Sequence, residues 1–319
     1  MKKKILWILT GGTFSCIGTE SGLAPCSSEE QAEKILSLMP QIIERYEVKP
    51  LVLMNIDSSD MTVGCHKLIA DTIDENIGKY DGIVITHGTD TMAYTAAALS
   101  VMIENPPIPV VLTGSQRPFF DKDSDAPGNF SDAFTAAGKS TMCCICVVFG
   151  GKIMHGSDCT KIDTVSDDAF TSVKEDIGKV ADGEVKITCT GKIGTADTAA
   201  KYRYDSSLCN ADGKIAVLSM HPSFSPEMIG LLYGGGIKGF VIRCYGAGGI
   251  PEKVRAALGE VITKGAKATA VTQCLHGGAN LDIYAVGDDA RKAGITDGGY
   301  MTTEYAAAVM MREVGREDK

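Results

Sequence analysis

The chain has 319 residues, of which 44% are hydrophobic and 36 are glycine, and its 31 Lys and Arg against 40 Asp and Glu leave a net charge of -9. That fits a globular protein of about two domains with a sizeable core. It argues against a nucleic-acid surface, which needs concentrated positive charge, because Lys2-Lys3-Lys4 is the one basic run.

The first apolar run, 5–9, follows those lysines and imitates a signal peptide, but it stops at Thr10-Gly11-Gly12 and reads better as a first β-strand. Nowhere does an apolar run approach the roughly 20 residues of a membrane span. Further strand-like runs at 51–56, 82–85, 110–112 and 144–149 alternate with segments at 28–38, 63–77, 91–104 and 129–140. Those segments carry apolar residues at helical spacing. This is the rhythm of a parallel sheet covered by helices, and it predicts a doubly wound α/β first domain. A β-hairpin or loop is expected at 150–155. Residues 174–212, rich in Asp, Gly, Lys and Thr without periodicity, suit a connection with short strands. Strands at 215–218, 239–242 and 269–271, with helices at 226–233, 251–264 and 302–314, predict a smaller α/β second domain. The expected boundaries are 1–190, a linker at 191–212, and 213–319.

The eleven cysteines, odd in number and set in apolar stretches, read as reduced core thiols and favour the cytoplasm over a disulfide framework. Cys143 and Cys146 have CxxC spacing, but no second pair follows at zinc-site spacing, so they read as a buried strand and no metal is assigned. HExxH and GxSxG are absent. Gly246-Ala247-Gly248-Gly249-Ile250-Pro251 departs from the dinucleotide loop, since Pro251 stands where its last glycine belongs.

The strand ends carry the chemistry. Thr10-Gly11-Gly12-Thr13, Asp57-Ser58-Ser59-Asp60-Met61, Thr86-His87-Gly88-Thr89-Asp90-Thr91-Met92 and Thr113-Gly114-Ser115-Gln116-Arg117-Pro118 each follow a predicted strand. In an open parallel sheet those ends line the binding crevice. Singly, each hydroxyl or carboxylate reads as a turn or cap residue. Together they suggest a site for a small molecule.

The first three of these stretches, with Thr160-Lys161 and Asp168-Ala169-Phe170, resemble the bacterial-type L-asparaginase family over nearly the whole chain. Arg243-Cys244-Tyr245-Gly246-Ala247-Gly248, Thr272-Gln273-Cys274 and Met301-Thr302-Thr303-Glu304 resemble its cytoplasmic type I branch. The resemblance implies that Thr13 is the nucleophile and that Thr89, Asp90 and Lys161 form a second hydroxyl constellation, with Lys161 drawing on Thr89. It also implies that Asp57, Ser58, Ser59, Thr89 and Asp90 contact the substrate L-asparagine, Ser58 and Asp90 holding its α-carboxylate and α-amino groups. No cofactor is implied, and homodimers paired into tetramers are. The chemistry would be acyl transfer, in which Thr13 attacks the side-chain amide, ammonia leaves, and water hydrolyses the aspartyl ester. Backbone N–H groups near Gly12 or Thr89 would meet the oxyanion.

Arg243 and Cys274 resemble positions near a second, regulatory asparagine site of some type I members, although a structural role suits them better. The sequence departs from the family pattern twice. Leu23 in Gly22-Leu23-Ala24-Pro25 replaces a tyrosine that assists the nucleophile, and Tyr300 replaces an aspartate in Gly299-Tyr300-Met301-Thr302. Alternatives are a glutaminase or mixed amidase, the related ammonia-releasing subunit for tRNA-dependent amidation, or a non-catalytic amino-acid-binding module.

Overall fold

The computed structural model describes residues 1–19, 22–139, 141–189 and 201–317, without the side chains of Thr19, Leu23 and Pro25. It divides into two compact units, Met1–Tyr204 and Asp205–Lys319. Residues 190–200, on which most of the expected linker's first half falls, lie outside the described residues.

In chain order the first unit runs β1 (Lys3–Gly11), a 3₁₀ turn (Thr13–Ser15), β2 (Cys16–Thr19), β3 (Gly22–Pro25), α1 (Glu29–Ser37), α2 (Pro40–Arg45) and β4 (Tyr46–Ile56). A second 3₁₀ turn (Ser58–Asp60) leads to α3 (Val63–Asn76), β5 (Gly82–Thr86), α4 (Met92–Met102), β6 (Ile103–Glu104), β7 (Val110–Thr113) and α5 (Ala126–Ala137). Then come β8 (Ile145–Phe149), β9 (Lys152–His155), β10 (Cys159–Lys161), β11 (Phe170–Ser172), β12 (Gly178–Ala181), β13 (Glu184–Ile187) and β14 (Arg203–Tyr204).

One eight-stranded sheet has the order β13-β12-β9-β8-β7-β5-β1-β4. The run β8-β7-β5-β1-β4 is parallel throughout. From Ile5 onward β1 is buried, and β5, β7 and β8 are wholly buried, as strands covered on both faces must be. The continuation β8-β9-β12-β13 is antiparallel. Its first turn is Gly150-Gly151, with φ of 58° and 76°, the left-handed pair that a two-residue hairpin favours. Nine of the eleven residues of α4 are buried, so this helix is packed on all sides. Beneath β1, Trp7, Phe14, Phe119, Phe130 and Phe134 form an aromatic core with edge-to-face contacts, Trp7 and Phe130 having centroids 4.7 Å apart.

The second unit contains β15 (Ile215–Ser219), α6 (Glu227–Gly234), β16 (Gly239–Cys244), α7 (Glu252–Ile262), β17 (Lys267–Thr272), α8 (Ala285–Lys292), β18 (Thr296–Asp297) and α9 (Thr303–Glu317). Its four strands form a parallel sheet in sequence order. The chain is thus a large, predominantly parallel α/β unit and a smaller α/β unit, as the patterning predicts. Among the described residues no helix is long and apolar enough to cross a membrane.

The sequence pattern and the structure differ in detail. The strand expected at 51–56 begins at Tyr46, and the helix expected to reach Glu104 ends at Met102, where Ile103 and Glu104 pair with Tyr204 and Arg203. Cys16–Thr19 and Gly22–Pro25, where the sequence pattern predicts no strand, pair as β2 and β3. Strands of four residues and helices as short as α2 and α8 present too few apolar repeats to register as periodicity.

Candidate active site

The strand order of the parallel run, second-first-third-fourth-fifth in chain order, reverses between β1 and β5. At such a switch point the loops leaving the two strands diverge to opposite faces of the sheet and open a crevice at their carboxyl ends. Here those loops are Gly12-Thr13 and His87-Gly88-Thr89-Asp90.

Glycines press the loops together. A Cβ at Gly12, where φ is 74°, would lie 2.3 Å from both the N and the Cα of Gly88. One at Gly88 would lie 2.6 Å from the Ser58 side chain, and one at Gly114 would lie 2.3 Å from the His87 carbonyl oxygen. No side chain fits at any of the three. The turns after β1, β4, β5 and β7 therefore meet backbone to backbone, bringing Thr13, Ser58 and Thr89 to one place. Phe14, buried against Trp7, Phe119 and Phe130, anchors the turn that carries Thr13.

A fifth segment completes the arrangement. Lys161, the last residue of β10, pairs with Phe170 of β11, whose ring is fully buried against Phe149. From this hairpin Lys161 Nζ donates to Thr89 Oγ1 at 2.8 Å and to Asp90 Oδ1 at 2.7 Å. The lysine side chain is 17% exposed and the Asp90 carboxylate 66% exposed, so the ion pair has one enclosed and one open end. Asp90 does not cap the following helix: the cap position of α4 is Thr91, whose hydroxyl donates to the Ser58 carbonyl at 2.7 Å.

Asp57 and Ser59 are exposed and bonded to each other, Asp57 Oδ1 accepting from the Ser59 backbone N–H at 2.8 Å and from its hydroxyl at 2.7 Å. Those two bonds hold the Asp57 carboxyl below its usual range. Ser58 between them is buried. Among the described residues the Thr13 hydroxyl has no hydrogen-bond partner. The Leu23 side chain, the first departure from the family pattern, lies outside the described residues.

The structure thus joins Thr89, Asp90 and Lys161 by hydrogen bonds, and Thr13 and Ser58 to them through the glycine contacts. Three supporting side chains escaped the sequence reading. Gln116 Oε1 lies 3.3 Å from Thr89 Oγ1 while its amide donates to the Ser166 carbonyl, tying the loop beyond Lys161 to the site. Asp125 accepts from the backbone N–H groups of Gln116 and Arg117. His87, wholly buried, contacts the Gly88 carbonyl and Thr95. Burial pushes its imidazole down to about 4. Gln116 and His87 stood inside the strand-end stretches, so their position was readable; their contacts were not. Among the described residues no group of three or more His, Cys, Asp or Glu side chains is gathered as a metal ion would need.

Chemically, the arrangement offers a free threonine hydroxyl, a second hydroxyl shared with a lysine, an open carboxylate for a cation, and backbone N–H groups at the head of a buried helix. That suits acyl transfer on a small molecule bearing an ammonium group.

Comparison with known proteins gives the same picture along the chain. Residues 4–191 match the family domain described as Asparaginase, N-terminal, and residues 214–319 the Glutaminase/Asparaginase C-terminal domain. An L-asparaginase from Thermococcus kodakarensis is 36% identical over 98% of this chain and 93% of its own length. L-asparaginase 1 of Escherichia coli is 31% identical over 95% of this chain and 90% of its own. A glutamyl-tRNA(Gln) amidotransferase subunit from Pyrococcus abyssi is 33% identical over 96% of this chain and 70% of its own. The solved structure of the thermostable L-asparaginase from Thermococcus kodakarensis superposes with a TM-score of 0.87 at 34% identity, covering 98% of this chain and 93% of that one.

Proposed function

The chain belongs to the asparaginase family, and from that premise we propose that it is an amidohydrolase that converts L-asparagine to L-aspartate and ammonia. The observation that carries the proposal is the Thr89–Lys161–Asp90 constellation beside the glycine-packed Thr13 turn. The family resemblance assigns its chemistry to these same residues.

In this reading Thr13 Oγ1 attacks the carbonyl carbon of the side-chain amide. The C–N bond breaks, ammonia leaves with the proton that Thr13 gave up, and an aspartyl ester remains on Thr13. Water adds to the ester, its proton returns to Thr13, and aspartate departs. Thr89 and Lys161 form the proton path for both halves, being already joined at 2.8 Å. Thr13 needs such a path, because a free threonine hydroxyl is a weak nucleophile and Leu23 has no proton to relay.

Asp90 keeps one oxygen on Lys161 and presents an open edge that suits the substrate ammonium. Ser58, with Asp57 and Ser59 on the same turn, is the proposed seat of the α-carboxylate. No step calls for a cofactor. The eleven free thiols, six of them buried, suit a cytoplasmic setting, and the family implies a homodimer or homotetramer.

The test is ammonia release by the purified protein from L-asparagine and, separately, from L-glutamine, each from micromolar to tens of millimolar. Release from asparagine that disappears in Thr13→Val is expected. Faster release from glutamine would favour the glutaminase alternative. Binding of either amino acid without any release would favour the non-catalytic module and overturn the proposal.

A further inference from the structure

His87 stands between two reactive residues and the core, yet no step of the reaction uses it. Its ring is fully buried, and both nitrogens are engaged: Nδ1 lies 2.7 Å from the Gly88 carbonyl oxygen and Nε2 2.9 Å from Thr95 Oγ1. A carbonyl oxygen only accepts, so Nδ1 must carry the hydrogen. In the neutral ring Nε2 then accepts from the Thr95 hydroxyl. The tautomer is fixed by its partners at both ends.

The bond to Gly88 has a consequence one atom further on. The Gly88 carbonyl and the Thr89 N–H belong to one peptide plane, and in a trans peptide, the sole kind in the described chain, they point in opposite directions. Holding the carbonyl on the buried imidazole turns the Thr89 N–H away from the ring. Among the described residues that N–H donates to nothing, although Thr89 is only 6% exposed. An N–H left without a protein partner is costly until a ligand or solvent oxygen meets it. An isolated Gly88–Thr89 peptide would rotate to relieve that cost, because glycine tolerates either flip. The imidazole prevents the rotation, and Gly88 cannot be replaced by a stiffer residue because a Cβ there would strike Ser58.

We propose that His87 is a positioning residue for the amidase reaction: by holding the Gly88 carbonyl it keeps the Thr89 N–H aimed at the oxygen of the scissile amide as negative charge develops there. The inference rests on the function proposed above. It explains why a histidine, and not an apolar residue, occupies the fully buried position that follows β5. A preorganised donor acts in the transition state and needs no rearrangement when the charge appears.

Two amide substitutions separate this role from packing. The shorter amide of His87→Asn places a donor near the position of Nδ1 and keeps the bond to Gly88. The longer amide of His87→Gln reaches the position of Nε2 and keeps the bond to Thr95 instead. With L-asparagine, His87→Asn is expected to stay within about threefold of the parent kcat. His87→Gln is expected to lose at least about tenfold, towards the 100-fold of a deleted oxyanion donor, with KM and aspartate affinity unchanged. Thr95→Val, which removes only the far bond, is expected to resemble His87→Asn.

Equal kcat in the two His87 variants, or a loss confined to KM, would overturn the inference while leaving the amidase reading intact. Absence of ammonia release by the parent protein would overturn both. Should His87→Gln fail to fold, Thr95→Val decides: a loss of kcat as deep as tenfold would show that the ring acts through its Thr95 side and not through Gly88.

Discussion

Thr89 and Asp90 share one partner, Lys161, yet their loss is expected to register in different kinetic constants. Thr89→Val removes the hydroxyl of the proton path and leaves Lys161 on Asp90, 2.7 Å away. Turnover is expected to fall at least about 1,000-fold with aspartate affinity within a few-fold, as for an interaction made only in the reaction. Wild-type-like turnover in that variant would remove Thr89 from the chemistry. Asp90→Ala withdraws the proposed partner of the substrate ammonium, a charge-assisted bond worth about 1.5–3 kcal/mol, so KM is expected to rise about 10- to 100-fold. It also releases Lys161 from its only ion pair among the described residues, so kcat falls too. A variant slowed in kcat with an unchanged KM would refute the headgroup role.

At the level of elements, the site is made by turns that follow buried parallel strands and by the glycines that let those turns touch. The crossing of Gly12 and Gly88 joins the end of β1 to the end of β5. Gly12→Ala would combine a left-handed φ of 74° with a Cβ 2.3 Å from the Gly88 backbone. Conformational strain of about 1–2 kcal/mol and overpacking of about 1–3 kcal/mol add to an expected destabilisation of about 2–5 kcal/mol. The urea midpoint measures it directly, and activity is expected to fall further than stability because Thr13 moves with the turn. Gly18→Ala, where a side chain would meet nothing within 4 Å, is the matched control and is expected to change neither. The β10–β11 hairpin adds an element from outside the parallel run that reaches the site. Its register places Lys161 opposite Phe170, whose buried ring anchors the strand that fixes the Lys161 backbone.

For the molecule as a whole, two shielded imidazoles, His87 wholly buried and His66 partly so, weaken the fold in acid. His66 and His87 are pushed down to about 4, in both cases first by burial, and for His66 also by the nearby His87. An unfolded chain binds those protons near pH 6.5, whereas the folded chain does not bind them until about 4. Stability is therefore full above pH 6.5 and is lost as the pH falls from there towards 4, by about 3 kcal/mol for each fully shielded ring. Urea unfolding at pH 7.5 and 4.5 reads the difference, and His87→Asn should flatten it by roughly half. A stability independent of pH over that range would show that neither ring is shielded. The same scale separates what was legible in the chain from what was not. Short continuous apolar runs alternating with segments of helical spacing determined both α/β units, because burial on two faces of a parallel strand leaves a run that the sequence itself reveals. Hydroxyls and carboxylates after those strands marked Thr13, Ser58, Thr89 and Asp90, because the crevice end of a strand is a matter of chain direction. Short elements such as β2, β3 and α8 carry too few repeats to be seen in that way. That Lys161 reaches across 72 residues to Thr89 was implied by the family resemblance and by no local pattern, whereas which loops touch and that the His87 ring turns a peptide plane were decided by tertiary structure alone. Such contacts depend on distances between segments far apart in the chain, and local pattern carries no information about them.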